Sequence, residues 1–163
     1  MPCRRPETEA DGPFLLALFA ACQETAFGQA PAFASLDPGL RTLLAQQGFA
    51  GQRATYRARY PDARFDLIVQ DGARVGRIVT DRRADALTLV DLAVVPERRG
   101  RGIGTAVIRA VLAEAGAAGL PVTLSVGRDN RDAIRLYERL GFRTVAAGAM
   151  DLTLAWSPSP EPG

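Results

Sequence analysis

The stretch PERRGRGIG, Pro96–Gly104, places three arginines and three glycines in nine residues. It lies between an apolar run, LVDLAVV, and a segment with apolar residues at helical spacing, TAVIRAVLAEA. This order predicts a buried strand, a glycine-rich turn and the start of a helix. Unpaired N–H groups and a partial positive charge at a helix N-terminus favour a bound anion, and glycines let that anion approach the backbone. The stretch therefore predicts a phosphate cradle, with a flexible basic turn that caps the helix as the alternative.

The overall composition narrows the function classes. The chain has 163 residues, of which 47% are apolar, so we expect one domain with a sizeable core. The net charge is only +2, too balanced for a protein that mainly binds nucleic acid. All 20 basic residues are arginine and there is no histidine, which excludes Ser/His and Cys/His catalysis and the commonest zinc ligand. With two cysteines, we expect neither a disulfide framework nor a metal site.

Most of the remaining chain has clear secondary-structure signals. FDLIVQ and ARVGRIVTD read as strands joined by an Asp71-Gly72 hairpin, and ALTLVDLAVV (86–95) as a central strand because it is apolar on both faces. LPVTLSV (120–126), FRTVAA and AMDLTLAW read as further strands, and a short strand is expected near residues 3–5. Strand–helix–strand around the glycines predicts a parallel crossover. The predicted fold class is α/β (α+β), a mixed central sheet flanked by helices.

Helices are predicted in the N-terminal part of the chain and on either side of the late strands. Asp11 is the predicted N-cap of FLLALFAACQETA, and Pro38 to Tyr60 is helical, split or bent by Gly48 and Gly51. GQAPAFASLDPG reads as a loop, Ile103 to Ala115 as a helix ended by Gly116 and Gly119, and residues 130–140 as another helix. We expect a single domain over residues 1–156 and a disordered tail over residues 157–163.

The glycine stretch fits one phosphate-binding pattern and fails two others. The Walker pattern requires lysine, which the chain lacks, and a G-x-G-x-x-G reading would require glycine at Thr105 or Val107. Arg99-x-x-Gly102-x-Gly104 instead resembles the R/Q-x-x-G-x-G/A loop of the GCN5-related N-acetyltransferases. In that family the loop holds the pyrophosphate of acetyl-coenzyme A.

A second resemblance to the same family lies well downstream. SVGRDNRDAIRLYERLGF, residues 125–142, is similar to the family's strand–helix signature N-x-x-A-x-x-L-Y-x-x-x-G-F. The matching positions are Asn130, Ala133, Leu136, Tyr137, Gly141 and Phe142. Both motifs occur in the family's order and on the predicted elements, and the resemblance covers roughly residues 65–156. The resemblance implies an acyl-coenzyme A acyltransferase fold and use of acetyl-coenzyme A as co-substrate, with no metal.

The resemblance assigns cofactor-binding roles along this part of the chain. It implies that the end of the central strand pairs with the pantetheine arm, that the loop backbone holds the pyrophosphate, and that the start of the late helix contacts the pantetheine. The implied binding residues are Leu92, Ala93, Val94, Arg99, Gly100, Arg101, Gly102, Ile103, Gly104, Thr105, Asn130 and Ala133. In this family the central strand and the following strand splay apart, and the arm lies between them. Asn130 as a helix N-cap is the alternative to a ligand contact, and the two roles are compatible.

Two residues are candidates for catalysis. The resemblance places Tyr137 near the thioester sulfur as general acid, and a phenol can protonate a leaving thiolate at little cost; a core residue on a helix stripe is the alternative. Asp91 is an acid within an apolar strand, where burial raises a carboxyl pKa and suits a base. Its alternatives are a position at the sheet edge or a hydrogen bond to the backbone.

The expected activity is transfer of the acetyl group of acetyl-coenzyme A to an amine of a small molecule or peptide by direct attack. The rivals are a non-catalytic coenzyme A sensor, a nucleic-acid module using the arginines, and transfer of a longer acyl group. Arg53 and Arg57 suit an acceptor with a carboxylate or phosphate. We expect a cytoplasmic protein without a membrane or nucleic-acid partner, and homodimers are common among proteins that resemble this one.

Overall fold

The computed structural model describes residues 1–159, and these form a seven-stranded mixed sheet with five α-helices. In chain order the elements are β1 (Cys3–Pro6), α1 (Gly12–Phe27), α2 (Pro31–Ala34), α3 (Pro38–Arg59), β2 (Arg64–Gln70), β3 (Ala73–Arg82), β4 (Leu87–Val94), α4 (Ile103–Ala117), β5 (Val122–Gly127), α5 (Arg131–Arg139), β6 (Arg143–Ala147) and β7 (Asp151–Trp156). Residues 157–159 have no regular structure, and residues 160–163 of the predicted tail lie outside the described residues.

The sheet has the order β1-β2-β3-β4-β5-β7-β6, which places β4 at its centre. Only the β4–β5 pair is parallel within residues 1–159, and α4 connects these two strands. The predicted mixed sheet, central strand and parallel crossover are therefore confirmed. The hairpin between β2 and β3 is confirmed as well, because Asp71 and Gly72 both adopt positive φ, 52° and 76°, as a tight two-residue turn requires.

Two hydrophobic clusters cover the sheet. The larger joins α4 and α5 to β3, β4, β5 and β7, and its fully buried side chains include Ile108, Val111 and Val122. The smaller joins α1 and α3 to β2 through Leu15, Phe49 and Leu67. The first cluster therefore lies beneath the glycine-rich loop and the second beneath the N-terminal helices, and β4 passes between them.

Three details of the helix boundaries differ from the sequence prediction. The segment from Pro38 to Arg59 is one unbroken helix, so the predicted split at Gly48 or Gly51 is wrong. The predicted loop contains the short helix α2, and α4 continues past Gly116 to Ala117. A glycine in a helix interior costs about 1 kcal/mol relative to alanine. Packing of the helix face against the sheet stabilises the helix by more than this amount.

Asp11 occupies the predicted N-cap position of α1, but its side chain does not cap that helix. The carboxylate is fully buried and accepts hydrogen bonds from both terminal nitrogens of Arg5 at 2.8 Å and from the Thr8 backbone N–H at 2.8 Å. Arg74 of β3 lies 3.0 Å away. Asp11, which the local sequence predicts to be a helix cap, thus links β1, α1 and β3.

Candidate functional site

β4 and β5 separate at the centre of the sheet. They pair only from Leu87–Val122 to Leu89–Leu124, and beyond this point β4 stays with β3 while β5 stays with β7. Val90 has no partner in the register with β3, since Val79 faces Asp91 and Thr80 faces Leu89. A bulge of this kind bends a strand locally. The separation that the family resemblance implied is therefore present, and it begins at the bulge.

The end of β4 presents backbone groups to the gap between the two strands. The Val95 N–H donates to Val75 O of β3 at 2.9 Å, and hydrogen-bonded pairs alternate along an antiparallel ladder. The polar backbone groups of Leu92 and Val94 therefore point away from β3 and into the gap. The backbone of Ala93 points toward β3 instead, so two of the three strand residues predicted to pair with pantetheine have groups directed at its expected path.

The loop after β4 contains a run of unpaired N–H groups. Arg99 N–H donates to Pro96 O at 3.2 Å, and the next N–H with a protein acceptor is that of Ala106, to Gly102 O at 3.0 Å. From Gly100 to Thr105, the N–H groups have no acceptor within residues 1–159. Gly102 is the N-cap of α4 and has no side chain to satisfy them. The loop can therefore bind an anion through its backbone alone.

The three glycines of the loop have different roles. Gly100 and Gly102 adopt φ of 72° and 80°, a region that side chains with a Cβ rarely adopt. Gly104 lies in the first turn of α4, where an added Cβ would meet only Leu136 Cδ2 at an ordinary 3.8 Å. The protein itself therefore does not require glycine at 104, and the missing side chain leaves open space at the helix terminus.

The arginine of the motif positions the loop. Arg99 Nε donates to Val94 O at 2.9 Å, Nη1 donates to Thr25 Oγ1 at 2.9 Å, and Nη2 lies 3.6 Å from Cys22 Sγ. The side chain thus ties the loop to the end of β4 and to α1. Of its neighbours in the loop, Ile103 is buried in the larger cluster and Arg101 is exposed.

The second motif runs from the end of β5 through α5, and Asn130 begins the helix. Asn130 Oδ1 accepts a hydrogen bond from the Ala133 N–H at 3.3 Å, which confirms the predicted N-cap. The amide nitrogen of this exposed side chain is a second polar group, suited to a ligand. Nearby, Arg128 Nε donates to Gly148 O at 2.7 Å and so links this region to the β6–β7 turn.

Tyr137 is the buried residue of α5, with 9% of its surface exposed. Its ring packs edge-on against Phe142, with the ring centroids 5.5 Å apart. Burial raises the pKa of the Tyr137 phenol to about 12, and the negative charge of Asp91 adds to the effect. The phenol therefore remains protonated at neutral pH, as a proton donor must.

A pocket of about 250 Å³ opens on the other face of β4. It is lined by Leu15, Leu18, Phe19, Cys22, Gln23, Ala26, Phe27, Gln52, Arg77, Asp91 and Ala93. Asp91 does not stand alone in apolar surroundings, as the sequence suggested, because Arg77 Nη2 lies 2.5 Å from its Oδ2. The same Nη2 donates to Gln52 Oε1 at 2.7 Å. Arg77 has only 5% of its side chain exposed.

Arg53 and Arg57, the arginines that the sequence suggested for the acceptor, lie outside this pocket. They lie 3.4 and 3.9 Å from the carboxylate of Glu7 and stack over Phe49 and Phe65. Arg77 was missed, although an arginine that interrupts the apolar residues Val75, Ile78 and Val79 of an inner strand is a signal of a buried charge.

Two classes of feature are not found in the described part of the chain. No helix within it is long and apolar enough to cross a membrane. Residues 1–159 also contain no group of three or more His, Cys, Asp or Glu side chains arranged to hold a metal ion.

Comparisons with known proteins point to one family. Residues 32–142 match the acetyltransferase (GNAT) family. A mycothiol acetyltransferase from Nocardiopsis dassonvillei is 39% identical over 92 residues, which cover 50% of this chain and 28% of that protein. The chain thus matches less than a third of that relative's length.

Solved structures show the same fold. The PaiA N-acetyltransferase of Thermoplasma acidophilum, solved in complex with coenzyme A, has a TM-score of 0.73 at 15% identity, covering 96% of this chain and 99% of that one. An acetyltransferase from Thermus thermophilus has a TM-score of 0.68 at 21% identity, covering 96% and 97%. The predicted mixed sheet with flanking helices is thus the fold of these acetyltransferases.

Proposed function

Because the chain belongs to the GNAT family of acetyltransferases, we propose that it transfers the acetyl group of acetyl-coenzyme A to a primary amine of a small molecule or peptide. The observation that supports this most directly is the presence of three features on elements that share the larger hydrophobic cluster. These are the N–H groups of residues 100–105, the strand gap beginning at Val90, and the buried phenol of Tyr137.

The pyrophosphate and the pantetheine arm of the co-substrate each have matching groups on the protein. The N–H run at the α4 N-terminus suits the pyrophosphate, with Gly104 leaving room for its close approach. The backbone of Leu92 and Val94 suits the amides of the pantetheine arm, as an added strand would. The Asn130 amide stands at the start of α5, ready for a further pantetheine contact. The co-substrate supplies an activated acetyl thioester.

The acceptor amine attacks the thioester carbonyl carbon, so a C–N bond forms and the C–S bond breaks. The Val94 N–H, directed into the gap, polarises the carbonyl and stabilises its developing negative charge. The leaving thiolate takes the proton of the Tyr137 hydroxyl, and a proton lost by the attacking nitrogen replaces it. The products are an N-acetyl amide and free coenzyme A, with no covalent acyl-enzyme.

Asp91 is a candidate to accept the first proton of the acceptor, which an ammonium group must lose before its nitrogen can attack. Its carboxylate lines the pocket, and its charge is felt by Tyr137. The ion pair with Arg77 holds the carboxylate in one place, which favours a role in orienting the amine as well. The mycothiol acetyltransferase relative is named for an acceptor, but its match covers too little of that protein to transfer the substrate.

The test is a thermal melt with and without acetyl-coenzyme A, followed by detection of free thiol in a screen of amines. At about 100 times Kd a ligand stabilises the fold by roughly 2.7 kcal/mol, a rise of roughly 5–10 °C for a domain of this size. Thiol release that depends on an amine confirms the activity. A melting shift without thiol release from any amine would favour a coenzyme A sensor of the same fold, and no shift at millimolar ligand would contradict both.

A further inference from the structure

The pocket between α1, α3, β3 and β4 presents a positive and a negative group side by side in apolar surroundings. We propose that the acceptor is a free α-amino acid with an apolar side chain, whose carboxylate binds Arg77 and whose amine binds Asp91. This inference rests on the proposed acetyl transfer and names the substrate class of the same site. It depends on the unused hydrogen-bonding groups of the two charged residues and on the pocket walls.

Arg77 keeps most of its hydrogen-bonding capacity for a ligand. Within residues 1–159, the hydrogen bonds of its guanidinium go to Asp91 and Gln52, and both leave from Nη2. A guanidinium has five N–H donors, so those on Nη1 and Nε remain. Only 5% of the side chain is exposed, and a buried guanidinium forms strong, often paired hydrogen bonds with a carboxylate.

Asp91 complements this donor. Its Oδ2 accepts from Arg77, while 22% of its side chain remains exposed, which leaves Oδ1 for an ammonium group. The amine and the carboxylate of an α-amino acid are attached to one carbon atom. Two opposite charges in direct contact at 2.5 Å therefore match the short spacing of such a zwitterion better than that of a long diamine or an extended dicarboxylate.

The walls of the pocket determine which side chain fits. Leu15, Leu18, Phe19, Phe27 and Ala93 make the lining largely apolar. At about 250 Å³ the pocket is smaller than the roughly 300–1,000 Å³ of typical ligand sites. A small acceptor with an apolar side chain fits these walls, whereas a charged side chain would lose its hydration without a partner.

The placement of the pocket also suits the chemistry. Asp91 and Ala93 line it from one face of β4, and the alternate residues Leu92 and Val94 direct their backbone into the gap. An amine at Asp91 is thus one strand residue away from the groups that would hold the thioester.

The experiment compares three acceptors that differ only in the carboxyl position: leucine, leucinamide and 3-methylbutylamine. Thiol release from acetyl-coenzyme A gives kcat/KM for each. We expect leucine to exceed the other two by about 10- to 100-fold, the effect of a charge-assisted hydrogen bond of about 1.5–3 kcal/mol. Equal rates for the three compounds would overturn the inference and leave the acetyltransferase proposal standing.

The variant Arg77→Met assigns the preference to one residue. It should raise KM for leucine by about 10-fold or more while the rate with leucinamide changes less than about 3-fold. The matched control is Arg53→Met, an arginine of α3 paired with Glu7 outside the pocket, which should keep the leucine preference. A preference for leucine that persists in Arg77→Met would overturn the assignment. The melting shift with coenzyme A checks that each variant is folded.

A binding measurement separates failure of the inference from failure of the proposed function. Calorimetry of the wild-type protein, saturated with coenzyme A, should detect leucine but not 3-methylbutylamine. If leucine binds in this carboxylate-dependent way and no thiol is ever released, the amino-acid site stands and the transferase proposal falls. If neither compound binds and leucine is not acetylated, the amino-acid site is wrong.

Discussion

On one side of β4 the protein presents backbone N–H groups, and on the other side it presents charged side chains. The first side consists of Gly100–Thr105 and the gap-facing backbone of Leu92 and Val94. The second consists of Arg77, Asp91 and the apolar residues around them. The first side uses a few adjacent residues, whereas the second brings together α1, α3, β3 and β4. Because of this difference, the backbone side can be predicted from a short stretch of sequence and the pocket side cannot. Substitutions on each side test the two binding roles separately.

The largest effect on the rate is expected from Tyr137→Phe, which tests whether the phenol takes part in transfer between the co-substrate side and the pocket side. Loss of a proton donor should lower kcat by about 10²–10⁴-fold. The melting shift with coenzyme A should remain, because Phe keeps the ring packing against Phe142. Steady-state kinetics and thermal melts measure both quantities.

The control for this variant is Tyr60→Phe, at the C-terminus of α3 beneath Arg59, which should leave kcat unchanged. The pH dependence gives an independent check. Since the folded pKa of Tyr137 is raised from 10 to about 12, its contribution to stability is complete below pH 10 and is lost as the pH rises toward 12. Tyr137→Phe should weaken the loss of stability across that window, and an unchanged pH profile would contradict the burial of the phenol.

The next effect is expected from Gly102→Val, which alters the backbone side alone. A β-branched residue at φ of 80° is strained by about 1–2 kcal/mol and should displace the N–H groups at the start of α4. We expect loss of most of the roughly 2.7 kcal/mol of ligand stabilisation, equivalent to about 100-fold weaker binding. Thermal melts over a range of acetyl-coenzyme A concentrations measure this change.

Gly51→Ala is the matched control, because Gly51 lies in α3 and an added Cβ there meets nothing within 4 Å. It should retain the full ligand-induced shift. Binding of acetyl-coenzyme A to Gly102→Val with unchanged affinity would show that the loop does not hold the ligand through its backbone.

The contrast between the two sides explains what could be predicted from the sequence. Gly100 and Gly102 adopt positive φ in a glycine-rich turn before a helix, so the local pattern was sufficient to predict their loop. Spacing gave Tyr137 only a place on the apolar stripe of a helix, and its catalytic role followed from the family resemblance. The gap between β4 and β5 followed from the family resemblance. The bulge at Val90 gave no local signal, because it depends on the register with β3.

The pocket side was predicted less well because its contacts join distant residues. Arg77 and Gln52 are 25 residues apart, and Arg77 and Asp91 are 14 apart. Asp91 was identified from its apolar strand, but nothing near it in sequence indicated a partner. Arg53, Arg57 and Arg77 are the same residue type, and only the structure shows that the first two pair with Glu7.

A smaller effect is expected from Asp11→Asn. This variant tests whether the hydrogen bonds of Asp11 hold α1, which forms one wall of the pocket, in place. Hydrogen bonds from Arg5, and then from Thr8, hold the pKa of the Asp11 carboxyl well below its usual range. Its stabilising effect is therefore present above an unfolded pKa of about 3.9 and is lost as the pH falls toward the folded value. The variant should melt several degrees lower at pH 7 and lose less stability below pH 4.

Asp85→Asn serves as the comparison, because Asp85 is exposed and should change the melting temperature little at either pH. If Asp11→Asn and Asp85→Asn had the same acid profile, the link from β1 to α1 and β3 through Asp11 would be unimportant for stability. Activity with saturating amine should also fall in Asp11→Asn if this anchor keeps α1 in place beside the pocket.

The smallest effect concerns Gly48 and Gly51, two glycines in the interior of α3 that look alike in sequence and differ in the structure. Gly51→Ala should stabilise the fold by about 0.4–1 kcal/mol, since the helix gains a better helix former in open space. At Gly48 an added Cβ would lie 3.0 Å from two atoms of the Phe19 ring, so the same change should gain less or destabilise. Phe19 lines the pocket, and Gly48→Ala should therefore also raise KM for the amine. Denaturant titration and kinetics of the pair test this, and equal behaviour of the two variants would show that close approach of α3 to α1 does not shape the acceptor side.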